Sequence, residues 1–332
     1  MEYMKIGHTD ITASAITLGG MPMGGGTWWR NSDDEVSIDV VHRAYDLGIT
    51  TIDTAPIYGL GHSEEVIGKA IAGNRDKYVI STKATFDWDT GVGRFWHDVD
   101  GHKVYVDHHY DSIIKDCENS LKRLGTDYID IYYTHNPAKD TDGCPVEETV
   151  KALMDLKKAG KIRCIGSSNV KPENIKAYQD CGCEIDIIQR KYSILTRDVE
   201  KDILPICKEQ GMTFHAYAPI ERGLLTGTVT KDRVVPPGDA RGDQLWWEAA
   251  RLPHAIDFVD GLKDICEEYH CTQTDLAIAF IRHYGPFINV IYGARKIKHL
   301  EAGAATINVT LRDDTVAEIR RRAEELEEKY GK

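Results

Sequence analysis

Eight short apolar runs, rich in β-branched residues and tyrosine, recur along this 332-residue chain, and most are separated by an amphipathic helical stretch. The runs are Ala15–Leu18, Thr50–Asp53, Tyr78–Thr82, Tyr128–Thr134, Arg163–Gly166, Ile185–Gln189, Thr213–Tyr217 and Ile288–Tyr292. Strands joined through helices pair in parallel by right-handed crossovers. Eight such units close on themselves, so the pattern predicts an α/β chain folded as a (β/α)8 TIM barrel. The barrel itself takes roughly 250 residues, so residues 1–332 are read as one barrel domain with insertions. The competing arrangement, an open doubly wound sheet, calls for G-x-G-x-x-G between its first strand and helix. Here Gly24-Gly25-Gly26 runs into Trp28-Trp29-Arg30 instead of a helix.

The helical stretches carry their own punctuation. In Asp34–Leu47 the residues Val36, Val40, Val41, Ala44 and Leu47 share one face, and Gly48 supplies the stop. Ser63 is the expected N-cap of a helix running to Ile71, and Tyr110–Leu124 ends at Gly125. Pro145 opens a helix with a Val146, Val150, Leu153, Met154 stripe that stops at Gly160. Lys171–Asp180, Val199–Glu209, Gln273–His283 and Lys296–Ala304 complete the set, with a further outer helix expected within Leu245–Tyr269. The tail Asp313–Tyr330 reads as a charged, solvated C-terminal helix with i,i+4 pairs. Before the first barrel strand, MKIGHTDITAS reads as a β-hairpin turning at His8-Thr9-Asp10, suited to plug one end of the barrel. The segments Ala84–Asp107 and Pro219–Trp246 are too long for simple connections, and both leave the carboxyl end of a strand. That is the face where barrel enzymes carry their active sites.

Composition narrows the partners. A net charge of −12 opposes long-range attraction to nucleic acid or anionic membranes. No apolar run approaches the eighteen or so residues of a membrane span, and MEYMKIGHTD has no apolar signal core. The eight cysteines are scattered without a C-x-x-C pair, which reads as reduced thiols in a cytoplasmic protein. Neither His108-His109 nor His97 with His102 has the helical i,i+4 spacing of a zinc site, so no metal is expected.

The residues just past the strands carry the chemistry. Asp53 closes the second strand and Tyr58 follows it; Lys83 follows the third and His135 the fourth. A free tyrosine has a pKa near 10, too high for efficient proton donation at neutral pH. An adjacent ammonium favours the phenolate and lowers that value, a part for Lys83, with Asp53 holding Lys83 in place by an ion pair. His135 can donate to a carbonyl oxygen on which negative charge develops, and Tyr58 can protonate that oxygen as a hydride reaches carbon. Ser168, Asn169 and Gln189 offer donors and acceptors matching a nicotinamide carboxamide, and Tyr217 can stack on its ring. After the seventh strand, Arg222 and the glycines around it suit close approach to a pyrophosphate. After the eighth, Gly293, Arg295 and Lys296 open a helix whose N–H groups suit an adenosine 2′-phosphate. Trp28, Trp29, Trp88 and Trp96 can line a substrate pocket.

This ordered set resembles the aldo-keto reductase superfamily, in particular its bacterial, general-stress-protein-like members. The matching stretches are DTAPIYG from Asp53, SEEVIGKAI from Ser63, STK ending at Lys83 and SLKRLGTDYIDIYYTH ending at His135. They continue with GKIRCIGSSN ending at Asn169, QRKYS from Gln189, AYAPIERGLLTG from Ala216 and GARK from Gly293. The resemblance implies NADP(H)-dependent interconversion of carbonyls and alcohols, small sugar aldehydes among the candidate substrates. It implies Tyr58 as general acid/base tuned by Asp53 and Lys83, with His135 orienting the carbonyl. By the same resemblance the cofactor is held by Gly20, Met21, Ser168, Asn169, Gln189, Tyr217, Ala218, Pro219, Ile220, Arg222, Gly223, Leu224, Gly293, Ala294, Arg295, Lys296 and His299. Two departures stand out. Asn136 follows His135 where relatives usually carry Trp or Arg, which alters the pocket wall. Ala302-Gly303 and His299 replace the Glu-Asn and Gln common in relatives, at positions that contact adenine. A non-catalytic NADP(H)-binding regulatory subunit of the same fold is the alternative, as is a metal hydrolase on the same barrel; the first would show a damaged tetrad, and all four members are present here.

Overall fold

The computed structural model describes residues 1–138 and 143–331. A two-stranded antiparallel hairpin comes first, β1 (Tyr3–Lys5) against β2 (Thr12–Ser14). Eight parallel strands then form a closed barrel: β3 (Ile16–Gly19), β4 (Thr51–Asp53), β5 (Val79–Ala84), β9 (Ile129–Thr134), β10 (Ile162–Ser168), β11 (Ile187–Lys191), β12 (Thr213–Tyr217) and β13 (Ile288–Gly293). They are the eight strands expected from the sequence, with ends displaced by a few residues. Between β5 and β9 lies a small antiparallel sheet of β6 (Phe86–Asp87), β7 (Arg94–Val99) and β8 (His102–Val106). The helices are α1 (Asp34–Asp46), α2 (His62–Ile71), α3 (Tyr110–Leu124), α4 (Val146–Lys158), α5 (Pro172–Asp180) and α6 (Ile203–Glu209). They continue with α7 (Leu252–Asp260), α8 (Lys263–Glu268), α9 (Gln273–Arg282), α10 (Ile297–Ala305) and α11 (Asp313–Tyr330).

Side chains alternate along a strand, and that alternation decides what reaches the barrel axis. On β9, Tyr132 joins the outer core with the helices, whereas its neighbours Ile131 and Tyr133 pack inside. The hairpin closes the amino end of the barrel as expected: Ile6, Ile11 and Ala13 are buried against Ile131, Tyr133, Cys164 and Ile187. Above this apolar floor the interior turns polar. Thr17 Oγ1 donates to Asn289 Oδ1 (2.7 Å), and Tyr133 OH meets His215 Nδ1 at 2.9 Å. Gly166 leaves room for the Tyr133 ring, which a Cβ at that position would strike.

Three expectations are revised. Ser63 is not the cap of α2; the helix starts at His62 after Gly61, and the Ser63 hydroxyl instead meets Thr54 Oγ1 (2.8 Å) and donates to the Gly20 carbonyl (2.9 Å). The outer helix expected within Leu245–Tyr269 is two, α7 and α8, broken at Gly261. The stretch Val199–Glu209 divides into a short 3-10 turn and α6. No helix among the described residues is long and apolar enough to cross a membrane.

Candidate active site

Continuing each inward parity to the strand ends brings three side chains to one mouth, and a turn adds a fourth, Tyr58. Asp53 ends β4, Lys83 lies near the end of β5, and His135 directly follows β9. The Lys83 ammonium donates to Asp53 Oδ1 (2.8 Å) and to the Thr54 carbonyl (2.7 Å), and it lies 3.4 Å from the Tyr58 hydroxyl. Asp53 is held from below: its Oδ2 accepts from Ser81 Oγ and Gln189 Nε2, each at 2.8 Å. Tyr58 sits on the turn after β4, where its N–H donates to the Ala55 carbonyl and its carbonyl accepts from Ser63 N. Two glycines make that turn possible. Gly59 has φ +66°, and a Cβ there would collide with the Gly24 carbonyl, while a Cβ on Gly24 would meet the Tyr58 backbone. The glycine triplet after β3 thus serves, at Gly24, as the close seat of the Tyr58 loop.

The charges set the protonation states. Burial raises the Tyr58 phenol from its ordinary value of 10, while Lys83 pulls it the other way; burial wins. The lysine acts in the direction expected from the sequence without dominating, so the phenol is a full proton donor at neutral pH. Burial also works against the Lys83 ammonium, but Asp53 and Tyr58 outweigh it and keep Lys83 raised. His135 is held well below its ordinary 6.5, first by burial and then by Lys83, so its imidazole is neutral. Its ring meets those of Tyr58 (centroids 6.0 Å apart) and Phe86 (4.9 Å) edge-on, and its Nδ1 is buried without a hydrogen-bond partner among the described residues.

Beside the tetrad, Asn169 adopts a left-handed conformation (φ 57°) and bridges two strand ends. Its Nδ2 donates to the His135 carbonyl (2.9 Å), and its Oδ1 accepts from Tyr217 OH (2.8 Å). Ser168 Oγ donates to the Gln189 carbonyl at 3.0 Å. Gln189 Nε2 donates to Asp53 and also approaches His215 Nδ1 (3.5 Å), which fixes its amide in the barrel mouth. The loop after β12 turns through left-handed conformations at Ala218, Glu221, Arg222 and Gly223. Glu221 anchors this twist: it is buried, pairs with Lys191 (2.7 Å), and its carbonyl accepts from Trp247 Nε1 (2.9 Å). The result is that Arg222 lies beside Tyr217 and Tyr58. A half-buried guanidinium with no salt bridge among the described residues, beside Gly223, whose missing Cβ would meet nothing within 4 Å, fits the diphosphate of a dinucleotide. Pro219, Ile220 and Leu224 line the same loop, and Gly20 and Met21 begin the one after β3, where the Gly20 N–H donates to the Asp53 carbonyl (2.7 Å).

At the last strand end, Gly293, Arg295, Lys296 and His299 are exposed and Ala294 is buried. Burial and the cations Lys298, Lys296 and Arg295 together depress His299, which marks a positive patch at the start of α10. Arg295 Nη2 donates to the carbonyls of Arg30 (2.7 Å) and Asn31 (2.8 Å), tying the loop after β3 to this patch.

The tryptophans divide. Trp28 is half-buried and meets Trp96, whose ring lies 4.6 Å from Phe86, and Phe86 in turn meets the His135 ring. Trp29 is instead buried beneath the Arg241 guanidinium, 4.6 Å from its ring centroid. Trp88 turns toward α3, where it lines a small cavity with Pro56, Lys115 and Arg123. Asn136 follows His135, its carbonyl accepting from His108 Nε2 at 2.9 Å. Trp96 lies against the pocket tryptophan Trp28 as the sequence suggests, whereas Phe86 as a pocket wall and the hairpin that carries Trp96 are not read from the sequence. The hairpin had a signal: Asp100-Gly101, both at positive φ, is a dipeptide that favours two-residue hairpin turns. A register shift between Phe95 and His97 leaves Trp96 as the bulged residue, a device that re-aims side chains.

Comparison with known proteins places this geometry. Residues 15–324 match the model of the aldo/keto reductase family. The chain is 38% identical to an NADH-specific methylglyoxal reductase of Escherichia coli (strain K12) over 98% of its length and 100% of that protein's. It is 35% identical to an aldo-keto reductase of Bacillus subtilis (strain 168), covering 96% of this chain and 92% of that one. Among solved structures, glycerol dehydrogenase from Gluconobacter oxydans superposes with a TM-score of 0.85 at 29% identity, covering 99% of this chain and 95% of that chain. An aldo/keto reductase from Klebsiella pneumoniae in complex with NADP and acetate superposes with a TM-score of 0.67 at 27% identity, covering 93% and 91%. These matches define a barrel oxidoreductase that works with a nicotinamide cofactor. The chain belongs to the aldo/keto reductase family.

Proposed function

We propose that this enzyme reduces small aldehydes and ketones to alcohols with NADP(H), Tyr58 delivering the proton. The nicotinamide supplies the hydride when bound. The carrying observation is the buried Lys83 ammonium, fixed by Asp53 and Thr54 and set 3.4 Å from the Tyr58 hydroxyl. Tyr58 protonates the carbonyl oxygen, Lys83 stabilises the phenolate left behind, and neutral His135 orients the oxygen by donating a hydrogen bond. Asn169, Ser168 and Gln189 would hold the carboxamide, and Tyr217 would offer its ring to the nicotinamide. Arg222, with the loop from Ala218 to Leu224, would hold the diphosphate. The intact tetrad argues against a purely regulatory subunit. The wall of Trp28, Trp96 and Phe86 with Asn136 beside it suits a short, hydroxylated carbonyl compound, and the relatives named for methylglyoxal and glycerol support that size. The eight cysteines are all free thiols, in keeping with a reducing cytoplasm.

Assaying NADPH and NADH oxidation against short aldehydes, hydroxyaldehydes and aromatic ketones tests this reading; no turnover with any carbonyl would refute it. The positive patch of Arg295, Lys296 and Lys298 supports a 2′-phosphate and hence NADP(H). Arg295→Ala should weaken NADPH binding about tenfold, the worth of one charge-assisted contact of roughly 1.5 kcal/mol, and NADH binding much less. Equal weakening of both, by titrated fluorescence quenching, would mean Arg295 acts through the Arg30–Asn31 loop it ties down.

A further inference from the structure

We infer that Asp116, on the outer helix α3, is a positioning residue for the carbonyl pocket: by accepting the Thr85 N–H it holds the chain in a kink between Lys83 and Phe86. The kink is unusual. Thr85 has φ 91°, a conformation that a β-branched residue adopts only when its surroundings impose it. Its neighbours do impose it. Thr85 N donates to Asp116 Oδ2 (2.9 Å), the Thr85 carbonyl accepts from Asp107 N (3.0 Å), and the Ala84 carbonyl accepts from His135 N (3.1 Å). The Thr85 hydroxyl is buried without a partner among the described residues, so the threonine side chain does not hold its own backbone. Asp116 supplies the side-chain anchor.

The consequence follows from strand parity. Lys83 points inward, so in a regular strand Thr85 would also point inward and Phe86 outward toward the helices. The left-handed residue breaks that alternation, and Phe86 comes to face the His135 ring at 4.9 Å and the Trp96 ring at 4.6 Å. The same turn fixes the His135 backbone through Ala84. Asp116 is not an ordinary ion-pair partner either. The nearby cations are engaged elsewhere: Lys115 with Asp87 (3.1 Å) and Asp89 (3.3 Å), and Arg123 with Glu64 (2.6 Å). Burial pushes the Asp116 carboxyl up to about 8, with Asp87 adding to it and Thr85 N–H, Arg123 and Lys115 opposing. It therefore acts largely as a neutral acceptor at pH 7, a part that an asparagine can also play.

The inference rests on His135 as the group that orients the carbonyl. Wild-type protein without carbonyl reduction would sink that reading; the variants below address Asp116 alone. Asp116→Asn should keep wild-type kinetics within about twofold, since its amide oxygen replaces the acceptor. Asp116→Ala should lower kcat/KM for the carbonyl about tenfold or more, as small misplacements near a reacting centre do, with cofactor Kd unchanged. Adding Thr85→Gly to Asp116→Ala should restore much of the loss, because glycine takes positive φ without an anchor. A wild-type kcat/KM in Asp116→Ala, or parallel loss of cofactor and carbonyl binding, would overturn the assignment. So would a double variant no better than Asp116→Ala. If Asp116→Ala does not fold, the double variant decides: folded and active supports the inference, whereas folded and inactive, or unfolded, assigns Asp116 to the fold instead.

Discussion

Tyr58→Phe is expected to lower the kcat of carbonyl reduction by about 10²–10⁴, the range one positioned general acid contributes, with cofactor Kd unchanged. The geometry isolates the hydroxyl. Among the described residues its one hydrogen-bond partner is the Lys83 ammonium at 3.4 Å, a long contact beside the two short bonds by which Lys83 is already held. Losing it should cost stability no more than about 1 kcal/mol. The ring, which packs against the cluster of Ala55, Ile57 and Phe86, is kept. Turnover, cofactor affinity and melting temperature therefore separate. Turnover in Tyr58→Phe comparable to that of the wild type would remove the phenol from the mechanism.

The same residue gives a pH prediction. The phenol is raised from 10 because burial exceeds the opposing pull of Lys83. Reduction uses the protonated phenol, so its rate should stay flat across neutral and mildly alkaline pH and fall only as pH rises through that raised value. Alcohol oxidation uses the phenolate and should rise with pH over the same range. A reduction rate already falling between about pH 7 and 8 would mean a different group donates the proton.

Much of this site could be read before any coordinates because barrel chemistry follows strand parity. Asp53, Lys83 and His135 lie at strand ends on the inward register, and the eight apolar runs already located those ends. What could not be read had other causes. The Phe86 wall depends on a left-handed threonine, held by a carboxyl thirty-one positions away, and no local pattern encodes that. Trp29 looked like its neighbour Trp28, but contact with Arg241, more than two hundred residues on, buries it. Burial also explains the phenol. The sequence shows a lysine near a tyrosine and hence one sign of shift, whereas desolvation, the larger effect, exists only in the folded chain. Ser63 failed as a cap for a similar reason: its hydroxyl is needed by Gly20 and Thr54, which only the closed barrel brings to it.

Lys83→Met should be the most damaging single change to both fold and activity. Lys83 has no exposed surface and Asp53 is 3% exposed. Removing one partner of a buried ion pair costs about 3–5 kcal/mol, because the remaining charge is left uncompensated. Ser81 and Gln189 still donate to Asp53 Oδ2, but Oδ1 and the Thr54 carbonyl both lose their donor. Asp53→Asn added to Lys83→Met removes the stranded charge, so the double variant should recover stability relative to Lys83→Met alone. That non-additivity is expected of residues in direct contact. Activity should not recover, since the phenol loses the ammonium that opposes its burial and the phenolate formed on proton transfer has no cation beside it. Alcohol oxidation, which begins from that phenolate, should suffer more than reduction. Denaturation midpoints and turnover in both directions for the two variants check this. A double variant no more stable than Lys83→Met would show that the aspartate is not stranded by the loss of the lysine. Near wild-type oxidation in either variant would show that Tyr58 needs no ammonium at its side.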